Sequence, residues 1–446
     1  MEEYIQILAI IMYIIIGIFA VYCYNKKIKK IEKPSYSGII FSMILYYIVI
    51  PIILLLFTDD FVEYENECGM WCNDSINKYI LNKNFFEVLY SALCVGISFF
   101  FFNYSYKKNR NKYICTKKNE KTLRIFKLVN RITLIIGGIC LILFIVSVGG
   151  VAEMIKKAEY YRSFYNSLVD DIGNFAILIV PARLVTVTPI LSLFLLDNDK
   201  KNKKEYILEL IISFVMAAFF YLYNAGRAPI ILFGLSLFYV VLKKYIKKPW
   251  TIIIILTVIG LPLLDVTDSL FSGLLIGGEL KVSFNYVKYL YQFIYPYRNI
   301  LNMRNINIEF GYRYFLDYIT SFIDILPKVS FTASYENTSL YINGINWKVI
   351  GGIPNDFITF SNLQLGIIGN IIISYFLGFI SSILDMKAAN LKPGFGKNLI
   401  LAILTLYTYS LIISFDFCTF IRGNLILIIV GILILLSCKI ERKKVG

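Results

Sequence analysis

Eleven apolar stretches divide this chain, near 4–24, 38–57, 85–106, 131–149, 174–196, 206–223, 229–242, 250–266, 365–384, 398–415 and 424–438. A helix rising 1.5 Å per residue crosses about 30 Å of hydrocarbon in roughly twenty residues, and most of these stretches reach that length. The stretches at 229–242 and 424–438 are short, which leaves a broken or re-entrant helix open at either. Polar residues gather between the stretches, and every second loop carries a basic cluster: 26–33, 107–127, 200–204, 243–248, 387–397 and 439–444. Together the clusters hold 29 of the 45 Lys and Arg residues. The positive-inside rule assigns those loops to the cytoplasm, the N-terminus to the outside and the C-terminus to the inside. The first loop on the other side, 59–74, is rich in acids, in keeping with that assignment. The pattern predicts an all-α polytopic membrane protein of about eleven transmembrane helices, forming one integral membrane domain over 1–446.

Composition agrees. The chain is 58% hydrophobic and its mean hydropathy is +0.67, values of a multi-span membrane protein. A net charge of +15 then reflects basic cytoplasmic loops rather than nucleic-acid binding. The first stretch opens Met1-Glu2-Glu3 and lacks the basic start and small-residue cleavage site of a signal peptide, so it is expected to remain as a span. Histidine is absent, which excludes histidine bases, relays and metal ligands. Cys68 and Cys72 are the only close pair among eight cysteines; with no second pair they do not read as a zinc site, and a disulfide between them is left open.

One interruption of the apolar pattern is long. Residues 267–364 form a predicted extracytoplasmic loop with twenty aromatic residues, among them Tyr295 and Tyr297. The segment 314–326 is amphipathic: Tyr314, Phe315, Tyr318, Ile319, Phe322, Ile325 and Leu326 share one helical face, and Asp317, Thr320, Ser321 and Asp324 the other. It predicts a helix lying in the membrane interface, ended by Pro327. Aromatics at this depth serve as an interfacial belt, or as platforms for sugar rings whose hydroxyls go to Asn and Asp. Asn355 is one of many asparagines here. Arg298, Arg304 and Arg313 also lie in the loop, where topology alone does not call for basic residues. A guanidinium grips phosphate bidentately; headgroup contacts or pairing with Glu309 and Asp317 are the structural alternative.

Arg227 has a different setting. It follows Asn224-Ala225-Gly226 between two apolar runs, near membrane depth, where an arginine costs roughly 2.5–3.5 kcal/mol unless it faces water or an anion. Gly226 and Pro229 favour a tight turn with free backbone N–H groups. Arg162 precedes Gly173 with ten residues between them, in the loop 150–173.

These features together resemble the Wzy-type O-antigen and capsule oligosaccharide repeat unit polymerases. The likeness rests on a comparable number of spans, a long outer loop late in the chain and a Gly-Arg turn between mid-chain spans. It rests also on a glycine-rich entry to the span after the loop, here Gly351-Gly352-Ile353-Pro354-Asn355-Asp356-Phe357 and Leu365-Gly366-Ile367-Ile368-Gly369. The Arg162-x10-Gly173 spacing matches an arginine pattern of some members, though the large loop does not repeat it. The resemblance implies a C-type glycosyltransferase embedded in the bacterial cytoplasmic (inner) membrane. It would join undecaprenyl-diphosphate-linked oligosaccharides into an O-antigen, capsule or exopolysaccharide, with no metal and no cofactor. A flippase and a chain-length regulator of the same pathway would be its partners. The similar O-antigen ligases rely on a histidine that this chain lacks.

In such a reaction the leaving diphosphate gains negative charge, which cationic donors stabilise. Arg227 and Arg298 are the expected catalytic cations. Arg162, Arg304, Arg313, Asn224, Tyr297 and Asn355 are the expected substrate ligands. Glu279 and Asp356 are the carboxylates expected to serve as base, with solvation or helix capping as their structural alternative. A flippase for the same lipid-linked oligosaccharide is the main alternative, and a non-catalytic scaffold of an export complex the third. For topology, a reporter fused after Lys204 is expected to read cytoplasmic and one fused near Asn305 external; the reverse pair of signals would overturn the orientation.

Overall fold

The computed structural model describes residues 2–25, 32–57, 85–118, 122–163, 171–224, 227–246, 248, 251–260, 262–263, 266, 294–323, 333–343, 354–416 and 424–442. The cysteines Cys68 and Cys72, the candidate base Glu279 and the aromatic run from Phe284 to Phe293 lie outside them. Nearly every described element is a helix. Helices α1 (Glu2–Asn25), α2 (Pro34–Leu56), α3 (Phe85–Lys112) and α4 (Thr122–Val148) are followed by α5 (Val151–Ser163), α6 (Gly173–Asn198), α7 (Lys203–Asn224), α8 (Arg227–Leu242) and α9 (Thr251–Gly260). Then come α10 (Tyr295–Phe310), α11 (Leu316–Ile323), α12 (Ala333–Asn343), α13 (Phe357–Ala389), α14 (Phe395–Ile413) and α15 (Leu425–Leu436). Seven of the described helices are long and apolar enough to cross a membrane, and four shorter apolar helices lie where the remaining predicted stretches fall.

The only described strands, β1 (Tyr113–Lys118) and β2 (Cys438–Arg442), pair antiparallel. This ribbon joins two basic clusters. Glu32 joins two more by accepting from Lys243 at 3.0 Å and Lys397 at 2.9 Å. Burial alone would raise the Glu32 carboxyl, yet these two ammonium groups hold it below the usual carboxylate value. Asp197 at the end of α6 accepts from the Gly396 N–H at 3.0 Å, which brings in the cluster at 200–204. The described residues of all six basic clusters therefore sit at one end of the bundle, as the alternation of the loops requires.

The opposite end is built around a break in α13. Helical winding runs from Phe357 to Ala389 except at Leu365 (φ −159°, ψ 39°) and Gly366 (φ 59°, ψ −143°), which are not helical. Residues 357–364 form a half-helix that folds back on the span beginning at Ile367. Gly366 occupies backbone space open essentially to glycine alone. Gly369 lies so close beneath the half-helix that a Cβ there would overlap the Ser361 carbonyl. Asn370 ties the two pieces together, donating to the Ile358 carbonyl (2.9 Å) and accepting from Asn362 (2.9 Å).

Within the predicted long loop the last residues, 357–364, form a fully buried helix. Residues 297–303 of α10 are buried too, against α3, α12 and α13. The amphipathic segment starts at Leu316, not Tyr314; Tyr314 and Phe315 take left-handed backbone (φ 49° and 63°) in the preceding turn. Its apolar Leu316 and Ile319 are exposed, while Asp317 of its polar face is completely buried. An interfacial helix that turns apolar residues to lipid and its acid into the protein explains the inversion.

Gly369→Ala is expected to lower stability by about 1–3 kcal/mol through overpacking. Gly234→Ala, in α8 with nothing within 4 Å of the new Cβ, is expected to be neutral or stabilising. Thermal unfolding of the two purified variants checks this, and equal shifts would contradict the close crossing.

Candidate functional site

The half-helix places polar groups in the interior. Asp356 is its N-cap: Oδ1 accepts from the N–H groups of Ile358 and Thr359, both at 3.1 Å. The same oxygen accepts from the Tyr47 hydroxyl at 2.7 Å. Tyr47 belongs to a π-helical turn of α2, Leu45–Val49, just before Pro51. That turn rotates both Tyr46 and Tyr47 into the core, where each finds a polar partner. Tyr47 lies nine residues before the end of α2, so the half-helix begins about 14 Å below that end. At the other end of the half-helix, the carbonyls of Leu363 and Gln364 accept from the N–H groups of Arg313 (3.0 Å) and Tyr314 (2.8 Å).

Two side-chain networks hold this geometry. In the first, buried Asp317 accepts from Arg313 Nε (3.1 Å), Gln364 Nε2 (3.1 Å) and the Ser334 hydroxyl. Thr338 of α12 donates to Asn355 Oδ1 at 2.7 Å. In the second, Asn362 accepts from Asn307 (2.9 Å) and donates to the Tyr90 hydroxyl (3.0 Å). Helices α3, α10, α11, α12 and α13 are thus joined through polar groups where α-helices alone would be joined by apolar packing.

Helix α10 carries the group that these networks do not use. Arg298 is 8% exposed, and its Nε and Nη2 meet no hydrogen-bond acceptor among the described residues. The next residue, Asn299, donates to the Pro354 carbonyl at 3.0 Å, leaving its Oδ1 without a partner, and the Nδ2 of Asn355 is likewise unpartnered. Asn299 and Asn355 therefore carry orphaned groups where α10 crosses the turn before the half-helix, one residue along α10 from Arg298, and Asp356 Oδ2 at the same turn is also without a partner among the described residues. An unmet buried donor costs about 1–3 kcal/mol, and a charged one more. Arg298 offers donors for an anion, and Asn299 and Asn355 offer an acceptor and a donor for a hydroxyl.

The other sequence candidates fall into three groups. Asp356 and Asn355 are at the site, Asp356 as a structural cap whose Oδ1 already accepts three bonds. Arg313 is committed to Asp317, and Arg304 points to the surface. Tyr297 is not an open sugar platform: it is 1% exposed and packs edge-on to Tyr13 at 6.2 Å between ring centroids. Arg227 is the first residue of α8 and Asn224 the last of α7, which begins at the basic end, so both backbones stand at the same end as the half-helix. Arg162 lies near the end of α5, which packs against α7. The side chains of these three lie outside the described residues. Sequence reading offered Asp317 as an arginine partner, and it pairs with Arg313; Tyr47 escaped because nothing in its local pattern marks it as a partner.

Buried guanidinium donors that meet no acceptor, as Arg298 Nε and Nη2 meet none among the described residues, destabilise a protein without ligand. Arg298→Met is expected to raise ligand-free stability by about 1–3 kcal/mol. Thermal unfolding checks this; a drop would show that Arg298 holds the fold together instead.

Comparison with family models, with curated proteins and with solved structures finds no match to this chain.

Proposed function

We propose that this protein is a metal-independent polysaccharide polymerase with eleven transmembrane helices in the bacterial cytoplasmic membrane. It joins undecaprenyl-diphosphate-linked oligosaccharide repeat units at the outer face. The observation that carries this reading is Arg298: a buried guanidinium without an acidic partner among the described residues, at the end of the bundle away from the basic loops. The basic loops then face the cytoplasm and the half-helix faces the outer leaflet.

In the proposed step, a hydroxyl oxygen of the acceptor sugar bonds to the anomeric carbon of the donor glycan. The bond from that carbon to the phosphate oxygen breaks, and its electron pair leaves with the lipid diphosphate. The hydroxyl proton is released as the new bond forms, and Glu279 is the carboxylate proposed to take it. Arg298 bonds the departing diphosphate, and Arg227 supplies a second charge from the start of α8. Their effect is greatest in the transition state, where negative charge on the diphosphate has grown. Asn299 and Asn355 hold a sugar hydroxyl beside it.

Flipping of the same lipid-linked oligosaccharide is the second reading. It draws on the broken helix α13, a device transporters use to meet anionic groups. Detergent solution separates the two, because chain lengthening there needs no bilayer to cross.

Purified protein given lipid-linked repeat units in detergent with EDTA is expected to lengthen chains, read on a gel. Arg298→Gln is expected to lower the rate by roughly 10²–10³, and Arg227→Ala to abolish long chains while the protein still inserts. Unchanged chain lengths with the wild type would favour flipping. Full activity of Arg298→Gln would remove the site assignment.

A further inference from the structure

The Arg298 site is closed in this structure. Asn299, Asn355 and Asp356 are completely buried, and Arg298 nearly so. A ligand reaches these groups only if an element beside them moves, which is the task of a lid. The described neighbours differ in how firmly they are held. Helix α10 is buried between α3, α12 and α13. The half-helix is fixed from two sides: Tyr47 of α2 bonds its cap at 2.7 Å, and Asn370 of the span beneath bonds the Ile358 carbonyl at 2.9 Å.

Helices α11 and α12 are held differently. Leu316 and Ile319 of α11 are exposed, while the ties to the half-helix are largely polar. The Arg313 and Tyr314 N–H groups donate to the Leu363 and Gln364 carbonyls at 3.0 and 2.8 Å. Asp317 accepts from Arg313 Nε and Gln364 Nε2, both at 3.1 Å, and from the Ser334 hydroxyl, which couples α11 to α12. One turn along α12, Thr338 donates to Asn355 Oδ1 at 2.7 Å, so α12 borders the site itself. The apolar part of the contact is Tyr318, edge-on to Phe360 at 5.4 Å between ring centroids. Polar bonds near the outer face can be exchanged for bonds to water, so opening this contact costs less than opening a packed apolar one.

The entry to α11 is strained. Gly311 has φ 76°, and Tyr314 and Phe315 follow with φ 49° and 63°. Glycine takes left-handed backbone freely, but a residue with a side chain pays for it. Two such residues in succession persist only while their surroundings hold them. The Arg313 and Tyr314 bonds to the half-helix do the holding, and their release lets the turn relax. Latch and hinge are therefore the same few residues.

We propose that α11 and α12 form a lid over the Arg298 site, hinged at 311–315 and latched by Arg313, Asp317 and Gln364, which opens to admit the ligand from the outer face. That the ligand is a lipid diphosphate rests on the reading of Arg298 above. The lid rests on the closed site, the polar latch and the strained hinge.

Hydrogen exchange of the full chain in lipid nanodiscs, read by mass spectrometry without ligand, tests the lid. Segment 311–318 is expected to exchange at least about tenfold faster than 357–362, because the lid opens while the half-helix stays wound. Equal rates for the two segments would overturn the lid. Arg313→Ala keeps both backbone bonds and removes the ion pair to Asp317. It is expected to speed exchange of 311–318 about tenfold and to leave 357–362 unchanged; an unchanged 311–318 would remove the latch. Tyr314→Gly takes a mostly exposed side chain off a left-handed residue. It is expected to slow 311–318 about fivefold, and unchanged or faster exchange would remove the strained hinge. This variant also serves should Arg313→Ala fail to fold. Undecaprenyl diphosphate is then added and its association followed in time. Arg313→Ala is expected to bind it about tenfold faster than the wild type. Equal rates, with binding lost on Arg298→Gln, would show entry by another route and overturn the gate while leaving the site. Absence of binding to every variant, with the exchange pattern as expected, would leave the lid standing and remove the lipid diphosphate as its ligand.

Discussion

Backbone groups at a broken helix have no water to bond inside a membrane protein, so each must find a protein partner. That constraint organises the end of this bundle opposite the basic loops. Breaking α13 at Leu365 and Gly366 exposes two sets of helix ends at once. Asp356 satisfies the N–H groups at the start of the half-helix, and the Arg313–Tyr314 backbone satisfies the carbonyls at its end. The left-handed residues Tyr314 and Phe315, the buried acid Asp317 and the π turn of α2 all follow from holding these caps in place. The far end of α13 repeats the device. Asp385 is buried and accepts from the Ser35 and Tyr36 N–H groups at 2.9 and 3.2 Å, capping α2 from another helix. A carboxylate at each end thus pins α13 to α2.

Buried polar groups in folded proteins are nearly all bonded, and most groups of the networks around Asp317 and Asn362 follow that rule, with Gln364 Oε1, Asn307 Oδ1 and Asp356 Oδ2 as exceptions within the frame. Arg298 differs from these in being cationic: its Nε and Nη2 meet no acceptor among the described residues. A cationic donor held beside a bonded frame suits a preorganised binding site, in which the ligand completes the bonding.

Much of this architecture was legible in the sequence, and the illegible part has a physical cause. Apolar runs of span length and the alternation of basic loops gave the helices and the common end of the six clusters, because both depend on local composition. The pair Gly366 and Gly369 stood out as glycine-rich, but only the tertiary fold distinguishes a span entry from a helix break. Asp356 before an apolar run carries an N-cap signal that competes with any reading of it as a base. Helix α10 looked like loop because its asparagines and Arg298 are polar; they are buried by helices distant in sequence.

The central claim is that Arg298 Nε and Nη2 meet no acceptor among the described residues because their proposed partner is a lipid diphosphate. Determination of the structure with undecaprenyl diphosphate bound tests it most directly. The account predicts a phosphate oxygen at about 2.7–2.9 Å from Arg298, level with the recessed start of the half-helix. A diphosphate held only at headgroup level, with Arg298 paired instead to a carboxylate of the protein, would contradict it.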